Sequence, residues 1–226
     1  MACGFNLDHY FETIEEYRRA GYSTGPVSSF QTISKDKHIL LRHDIDVSLE
    51  YGAALAMEES KRGYTASYYI LLNSPFYNAF DLESIHTIQA INNAGHEIGL
   101  HLDTRFFDAS MFALLGNIID KPVTQFSHHS PSDTPPIPNY VENVFFNATY
   151  PLRFGYKYLS DSGKNWREGC FCKWIDKADK IEVLMHPIWW LTKDIKQFYH
   201  DQGRDLSRKL RAFNDLLIIY LKSCQN

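Results

Sequence analysis

Cysteine is scarce in this chain. Only Cys3, Cys170, Cys172 and Cys224 occur among 226 residues, which is too few for a disulfide framework and favours a reducing compartment. We therefore expect the protein in the cytoplasm. Cys170 and Cys172 alternate along a short run that resembles a strand, so we expect them to be packing residues rather than members of a site.

An excess of basic residues is also missing. The chain has 23 Lys and Arg against 27 Asp and Glu, with a formal net charge of -4. Proteins that contact nucleic-acid phosphates need positive charge, so we expect no nucleic-acid partner.

Long apolar runs are absent as well. The run 216–221 is far shorter than the roughly 20 residues of a membrane span, and the charged N-terminal stretch lacks the apolar region of a secretory signal. We expect no membrane insertion.

Repeats, low-complexity tracts and linker-like segments are absent, which favours one continuous domain over residues 1–226 with its core at about 36–190. Apolar residues at helical spacing alternate with short buried runs. Predicted helices are an N-terminal helix ending near Gly21, helices opened by Ser48, Asp81 and Asp108, and a long C-terminal helix with Leu206, Leu210, Phe213, Leu217 and Tyr220 on one face. Predicted strands are 38–41, 65–72, 96–103, 123–129, 156–161, 170–175 and 180–185.

Strands that alternate with helices indicate a parallel sheet, because right-handed crossovers place each helix on a face of the sheet. About seven strands in a chain of this length predict an α/β fold, a distorted parallel (β/α) barrel. The active site of such a barrel lies at the C-terminal ends of its strands.

Acidic side chains follow the first predicted strand in the sequence Arg42-His43-Asp44-Ile45-Asp46. Strand side chains alternate with period two, so Asp44 and Asp46 point toward one volume. Two carboxylates this close repel each other unless a cation or a shared proton intervenes. Their pairing favours a metal ion.

Imidazoles follow three further strands. His101 shares a face with Gly99 and Asp103, and the later strands end at His128-His129 and at His186. An Asp in such a position is often only a helix N-cap, and a single His is more often structural. Convergence of four strand ends argues against these simpler roles. Imidazole with carboxylate is a ligand set that zinc and similar divalent ions favour.

Four motifs resemble the polysaccharide deacetylases of the NodB-homology group, related to carbohydrate esterase family 4. They are residues 42–46 (RHDID), 95–101 (GHEIGLH), 158–162 (YLSDS, with Trp166) and 184–187 (LMHP). Order and spacing agree from Leu40 to Pro187, and the family fold is a distorted parallel barrel. The variant motifs are similar to a divergent subgroup of that family.

The resemblance implies a role for each matching residue. Asp44 matches the catalytic base, Asp46 the metal-binding acid, His101 the first metal-binding histidine and His186 the catalytic acid. Asp161 is expected to orient one of these groups.

One position departs from the family pattern. The second histidine ligand is replaced by Arg105, which cannot bind a cation. His129 is our preferred third ligand, and His128 and Asp103 are the alternatives.

The resemblance implies a metal-dependent hydrolase that removes an acyl group, N-acetyl in the first instance, from a sugar or polysaccharide precursor. A divalent ion, Zn²⁺, is the expected cofactor, and an acylated sugar is the expected partner. Two alternatives are a hydrolase of small amides and a non-catalytic carbohydrate-binding relative with a degenerate metal site. The sequence carries no signal for an oligomeric state.

Overall fold

A computed structural model describes residues 3–32, 36–103, 108–129, 140–141 and 145–192, with further residues between 194 and 216. The chain divides into two compact units, Met1–Leu191 and Thr192–Asn226. The sheet and the candidate site belong to the first unit. One catalytic domain over the whole chain stays a prediction.

Helices and strands alternate through most of the first unit. The helices are α1 (Leu7–Arg19), α2 (Leu49–Lys61), α3 (Leu82–Asn93), α4 (Ser110–Ile119) and α5 (Pro187–Leu191). The strands are β1 (Ser23–Gly25), β2 (His38–Ile45), β3 (Ser67–Leu71), β4 (Glu97–Asp103), β5 (Gln125–His129), β6 (Tyr140–Val141), β7 (Phe145–Asn147), β8 (Lys157–Ser160) and β9 (Lys180–Met185).

The strands form one sheet in the order β6-β7-β5-β4-β3-β2-β9-β8. The seven strands from β7 to β8 run parallel, β6 is antiparallel to β7, and β1 pairs in parallel with β2. They make a curled half-barrel with flanking helices, so the predicted distorted parallel (β/α) barrel is confirmed.

Both faces of the central strands are buried, as parallel strands covered by helices require. Every residue of β2 and β3 is buried. Alternate residues of β2, including Ile39, Leu41 and Ile45, join the main hydrophobic core. The residues between them, Arg42 and Asp44, bond to other polar groups instead. The period-two alternation thus separates a structural face from a polar one.

Two helix starts follow the sequence prediction. The Ser48 side chain accepts a hydrogen bond from the Tyr51 amide at the start of α2, and Asp81 accepts one from the Ser84 amide at the start of α3. These N-caps satisfy amides that have no partner inside the helix. Because Ser48 caps α2, the side chain of Asp46 is left for another role.

The predicted strand at 170–175 is wrong. Phe171–Trp174 forms a 3₁₀ helix, in which the Lys173 amide donates to the Cys170 carbonyl. Gly169 precedes it with φ 86°, a left-handed conformation that reverses the chain. Phe171 is buried as a strand residue would be, but it packs from a tight turn, and Trp174 is only partly buried.

The predicted C-terminal helix falls in the second unit. Residues 196–200, 203–204, 207, 210–211 and 214–216 are helical. Of the predicted apolar face, Leu210 is helical. The other four residues lie outside the described residues: Leu206, Phe213, Leu217 and Tyr220. Among the described residues, no helix is long and apolar enough to cross a membrane.

Candidate metal centre

Asp46, His101 and His129 come together at the C-terminal ends of adjacent strands. Asp46 follows β2, His101 lies near the end of β4, and His129 ends β5. Oδ1 of Asp46 lies 3.1 Å from Nε2 of His101 and 3.4 Å from Nδ1 of His129. One ligand atom from each residue lies within 4.8 Å of the others.

These three residues fit a divalent cation. Ligand atoms about 2.1 Å from a tetrahedral zinc ion lie roughly 3.4 Å apart, which matches the two distances to Asp46. Oδ1 of Asp46 is buried and accepts no hydrogen bond from any described residue, although both imidazole nitrogens face it. A buried carboxylate oxygen without such a partner is costly, and a cation between the three atoms would satisfy it.

The electrostatics of Asp46 agree with this role. Burial acts to raise the pKa of Asp46, but the imidazoles of His101 and His129 outweigh burial and hold that pKa well below its ordinary value. The carboxyl is therefore ionised at neutral pH, as a metal ligand must be.

Ser127 orients the ring of His101. Its hydroxyl lies 2.6 Å from Nδ1 of His101 and 3.4 Å from Oδ1 of Asp44, within hydrogen-bond reach of both. When Nδ1 carries the proton and donates to Ser127, Nε2 is left as the basic nitrogen facing Asp46. A hydrogen bond of this kind to the far nitrogen is typical of histidines that bind metals.

Arg42 fixes Asp44 from two positions earlier on the same strand. Its Nε and Nη2 donate to the two oxygens of Asp44 at 3.1 and 2.9 Å. Burial acts to raise the pKa of Asp44, but the Arg42 guanidinium outweighs it, so this pKa lies below its ordinary value. Asp44 is held ionised beside His101, with Oδ2 3.8 Å from the Nδ1 atom of His101.

Arg42 also donates a hydrogen bond to a second carboxyl group, that of Glu182. Its Nη1 donates to Glu182 on β9 at 3.2 Å, while Oε2 of Glu182 is buried and has no hydrogen-bond partner among the described residues. Burial raises the pKa of Glu182 to about 7 despite the Arg42 charge. Asp44 receives two of the three guanidinium bonds, which explains why it is the more acidic of the two.

His186 and Asp161 form a pair on the other side of Asp46. Nδ1 of His186 donates to Oδ1 of Asp161 at 2.6 Å, and Nε2 of His186 lies 3.6 Å from Oδ2 of Asp46. Trp190, one turn later on α5, donates from Nε1 to Oδ2 of Asp161 at 2.8 Å. Burial acts to lower the pKa of His186, but Asp161 outweighs it and raises the pKa to about 9.

Neither alternative third ligand, His128 or Asp103, is found beside Asp46 among the described side chains. His128 turns to the opposite face of β5, where its ring packs against Phe126 with ring centroids 5.2 Å apart. Burial lowers the pKa of His128 to about 4. The side chain of Asp103 and the whole of Arg105 lie outside what the structure describes.

Three supporting residues were not assigned from the sequence. Arg42 shares the strand face of Asp44, so the period-two rule would have placed it there. Trp190 is four residues after His186, which is one helical turn. Ser127 lies two residues before His129 on β5, so the period-two rule would have placed it on the same face, and its register opposite His101 shows which ring it contacts.

Comparisons with known proteins add the following findings. No protein-family model matches the chain, and no curated protein matches it. Solved structures do match.

A family 4 carbohydrate esterase pseudoenzyme from Bacillus anthracis is 14% identical, with a TM-score of 0.45 over 78% of this chain. A family 4 carbohydrate esterase from the same organism is 14% identical, with a TM-score of 0.40 over 92% of this chain and 89% of its own. A Streptococcus pyogenes deacetylase in complex with acetate is 10% identical, with a TM-score of 0.42 over 79% of this chain and 80% of its own. This chain spans 62% of the length of the pseudoenzyme.

Proposed function

We propose that this chain is a metal-dependent hydrolase that removes an acyl group, N-acetyl in the first instance, from a sugar or polysaccharide precursor. The observation that carries the proposal is the convergence of Asp46, His101 and His129, with Oδ1 of Asp46 buried between two imidazoles. The proposal assigns the metal to these three residues, with Zn²⁺ as the ion. Location in the cytoplasm stays a prediction.

Such an ion, when bound, would lower the pKa of a water molecule and polarise the carbonyl of the substrate. Asp44 is the base that accepts the proton of the attacking water, because Arg42 keeps its carboxylate ionised. Ser127 and Arg42 together limit the movement of that carboxylate. A base held in a fixed position increases the reaction rate more than a mobile base of equal pKa.

His186 is the acid that protonates the departing amine. Its ring is held by Asp161, whose negative charge raises the pKa of His186 and favours the protonated imidazole. Breaking the amide bond leaves an amine that must take up a proton, and His186 supplies it from Nε2. Water attacks on the side of Asp44, and the amine leaves on the side of His186.

The test uses the full chain loaded with Zn²⁺ and measures two quantities, bound metal and acetate released from N-acetylglucosamine oligomers. The wild type is expected to bind metal and release acetate. Asp46→Ala should lose one bound ion per chain and the release of acetate, whereas Asp44→Asn should keep its metal and lose acetate release. Thermal melts check that both variants remain folded. Unchanged metal content and activity in Asp46→Ala would remove the ligand assignment.

The same assay separates the two alternative functions. Acetamide as a second substrate tests the small-amide hydrolase, which would hydrolyse it as fast as the acetylated sugar. A carbohydrate-binding relative without activity would bind the oligomers and release no acetate from them even with the metal bound. Either result would overturn the proposed sugar deacylase.

A further inference from the structure

A second group of metal-ligating side chains lies outside the candidate metal centre. Cys3, His9, Cys170 and Cys172 each offer one ligand atom, and these four atoms lie within 4.8 Å of one another. Sγ of Cys3 lies 3.3 Å from Sγ of Cys172, and Nε2 of His9 lies 3.2 Å from Sγ of Cys170. No residue of this group takes part in the proposed hydrolysis.

Two distant parts of the chain build the group. Cys3 precedes α1, and His9 lies in the first turn of that helix, which Asn6 begins by accepting a hydrogen bond from the His9 amide. Cys170 and Cys172 flank Phe171 at the start of the 3₁₀ helix. The pairs are therefore more than 160 residues apart in sequence.

Packing between the two parts holds the ligands in place without help from the thiols. The Tyr17 hydroxyl of α1 donates to the Phe171 carbonyl at 2.7 Å. The His9 ring stacks on Trp190 with centroids 6.4 Å apart, and it meets Phe171 edge to face at the same separation. A ligand set that the fold already brings together loses little freedom when it binds an ion.

We propose that Cys3, His9, Cys170 and Cys172 bind a structural Zn²⁺ ion. Three cysteines and one histidine form a closed four-ligand set that is typical of structural zinc, and no position is left open for water. Zinc bonds of about 2.3 Å to sulfur and about 2.1 Å to nitrogen separate the ligand atoms of a tetrahedron by roughly 3.6–3.8 Å. The two measured distances are slightly shorter, so small movements of the side chains admit the ion.

The ion would join the start of the chain to the segment that supports the candidate metal centre. Trp190, which packs on His9, also donates to Asp161, the partner of His186. Zinc at this second site therefore stabilises the fold around that pair without touching the substrate. A disulfide between Cys3 and Cys172 is the competing state, because these two sulfurs are neighbours.

Cobalt distinguishes the two metal sites. Cobalt(II) bound by thiolates gives an intense charge-transfer band in the near ultraviolet, and the Asp46, His101 and His129 set contains no thiol. The full chain is first purified under reducing conditions and freed of metal. Co²⁺ is then added to it. We expect the thiolate band in the wild type, which has two sites, and in Asp46→Ala, where the band should saturate at one equivalent of Co²⁺. Zn²⁺ should displace the cobalt and remove the band.

Variants identify the ligands. Cys170→Ser and Cys3→Ser should each lose or strongly weaken the band, whereas Cys224→Ser, the matched control, should keep it. Zinc X-ray absorption of Asp46→Ala gives a second readout that needs no cysteine variant, with three sulfur neighbours expected. Absence of the band and of sulfur neighbours in the folded, reduced chain would overturn the proposal. So would a chain that emerges from reducing purification with Cys3 and Cys172 joined, lighter by two hydrogens and unable to bind zinc.

Discussion

His186 and Asp161 are joined by three hydrogen bonds. Nδ1 of His186 donates to Oδ1 of Asp161 at 2.6 Å, and the His186 backbone amide lies 3.1 Å from each oxygen of the same carboxylate. The carboxylate thus fixes both the ring and the backbone of the histidine. Its negative charge also favours the protonated ring.

Asp161→Asn should therefore lower kcat about 100-fold or more while the metal content stays unchanged, because general acid catalysis contributes about 10²–10⁴-fold. A neutral amide no longer favours the imidazolium. Trp190→Phe is the control, since it removes the hydrogen bond to Oδ2 of Asp161 together with part of the ring packing on His9, and leaves the charge of Asp161. Its effect on kcat should be much smaller. Equal kcat in Asp161→Asn and the wild type would contradict the role of His186 as the acid.

His129 and His128 are adjacent but face opposite sides of β5, so they form a natural pair of variants. His129→Ala should weaken metal binding by more than about 100-fold, because loss of a group that only orients a ligand already costs about 10–100-fold. His128→Ala should leave the metal affinity within a few-fold of the wild type. Isothermal titration with Zn²⁺ in the Cys170→Ser background measures the first site alone. The reverse order of effects would make His128 the ligand.

Alternation along single strands was predictable from the sequence, and it accounts for much of the candidate site. Asp44 and Asp46 were expected on one face, and both lie near His101 in the structure. The same alternation puts His129 and His128 on opposite faces, where the first ring meets His101 and the second meets Phe126. These inferences succeed because side-chain direction in a strand follows local geometry alone.

Contacts between distant segments were not predictable in the same way. Cys170 and Cys172 look like packing residues until α1 brings Cys3 and His9 beside them. Likewise, nothing local relates Glu182 to Arg42, because the pairing of β9 with β2 depends on the whole sheet. Phe171 is buried although 170–175 is not a strand, because burial does not distinguish a strand from a tight turn.

The pKa of Glu182 makes the stability of the chain depend on pH. Burial raises the pKa of Glu182 from 4.5 to about 7 in the folded chain. Below pH 4.5 the carboxyl is protonated in both the folded and the unfolded chain and does not lower the free energy of unfolding. That free energy falls as the pH rises from 4.5 toward 7. The full loss is about 3 kcal/mol, at about 1.4 kcal/mol per pKa unit. Glu182→Gln, which can still accept from Arg42, should remove it. Urea unfolding below and above this interval tests the difference, and equal pH dependence in both chains would refute it.

Glu59 is a fully buried carboxylate on α2 whose partners come from three other elements. It accepts hydrogen bonds from Nε2 of His43 at 2.8 Å, from the Tyr68 hydroxyl at 2.6 Å and from the Tyr10 hydroxyl. Burial acts to raise the pKa of Glu59, but His43 outweighs it and holds the pKa below its ordinary value. The network therefore ties α1, α2, β2 and β3 together through one ionised group.

Glu59→Ala should destabilise the fold by about 3–5 kcal/mol, because it leaves the Tyr10 and Tyr68 hydroxyls and the His43 imidazole buried without the acceptor that they share. Glu58→Ala is the matched control on the same helix, since the described partners of the Glu58 side chain are Lys61 and Arg62 at the surface, where solvent screens the charges. Its stability should stay close to that of the wild type. Urea unfolding of both variants measures the difference. Similar stability losses in the two would mean that the loss reflects the helix itself and not the network around Glu59.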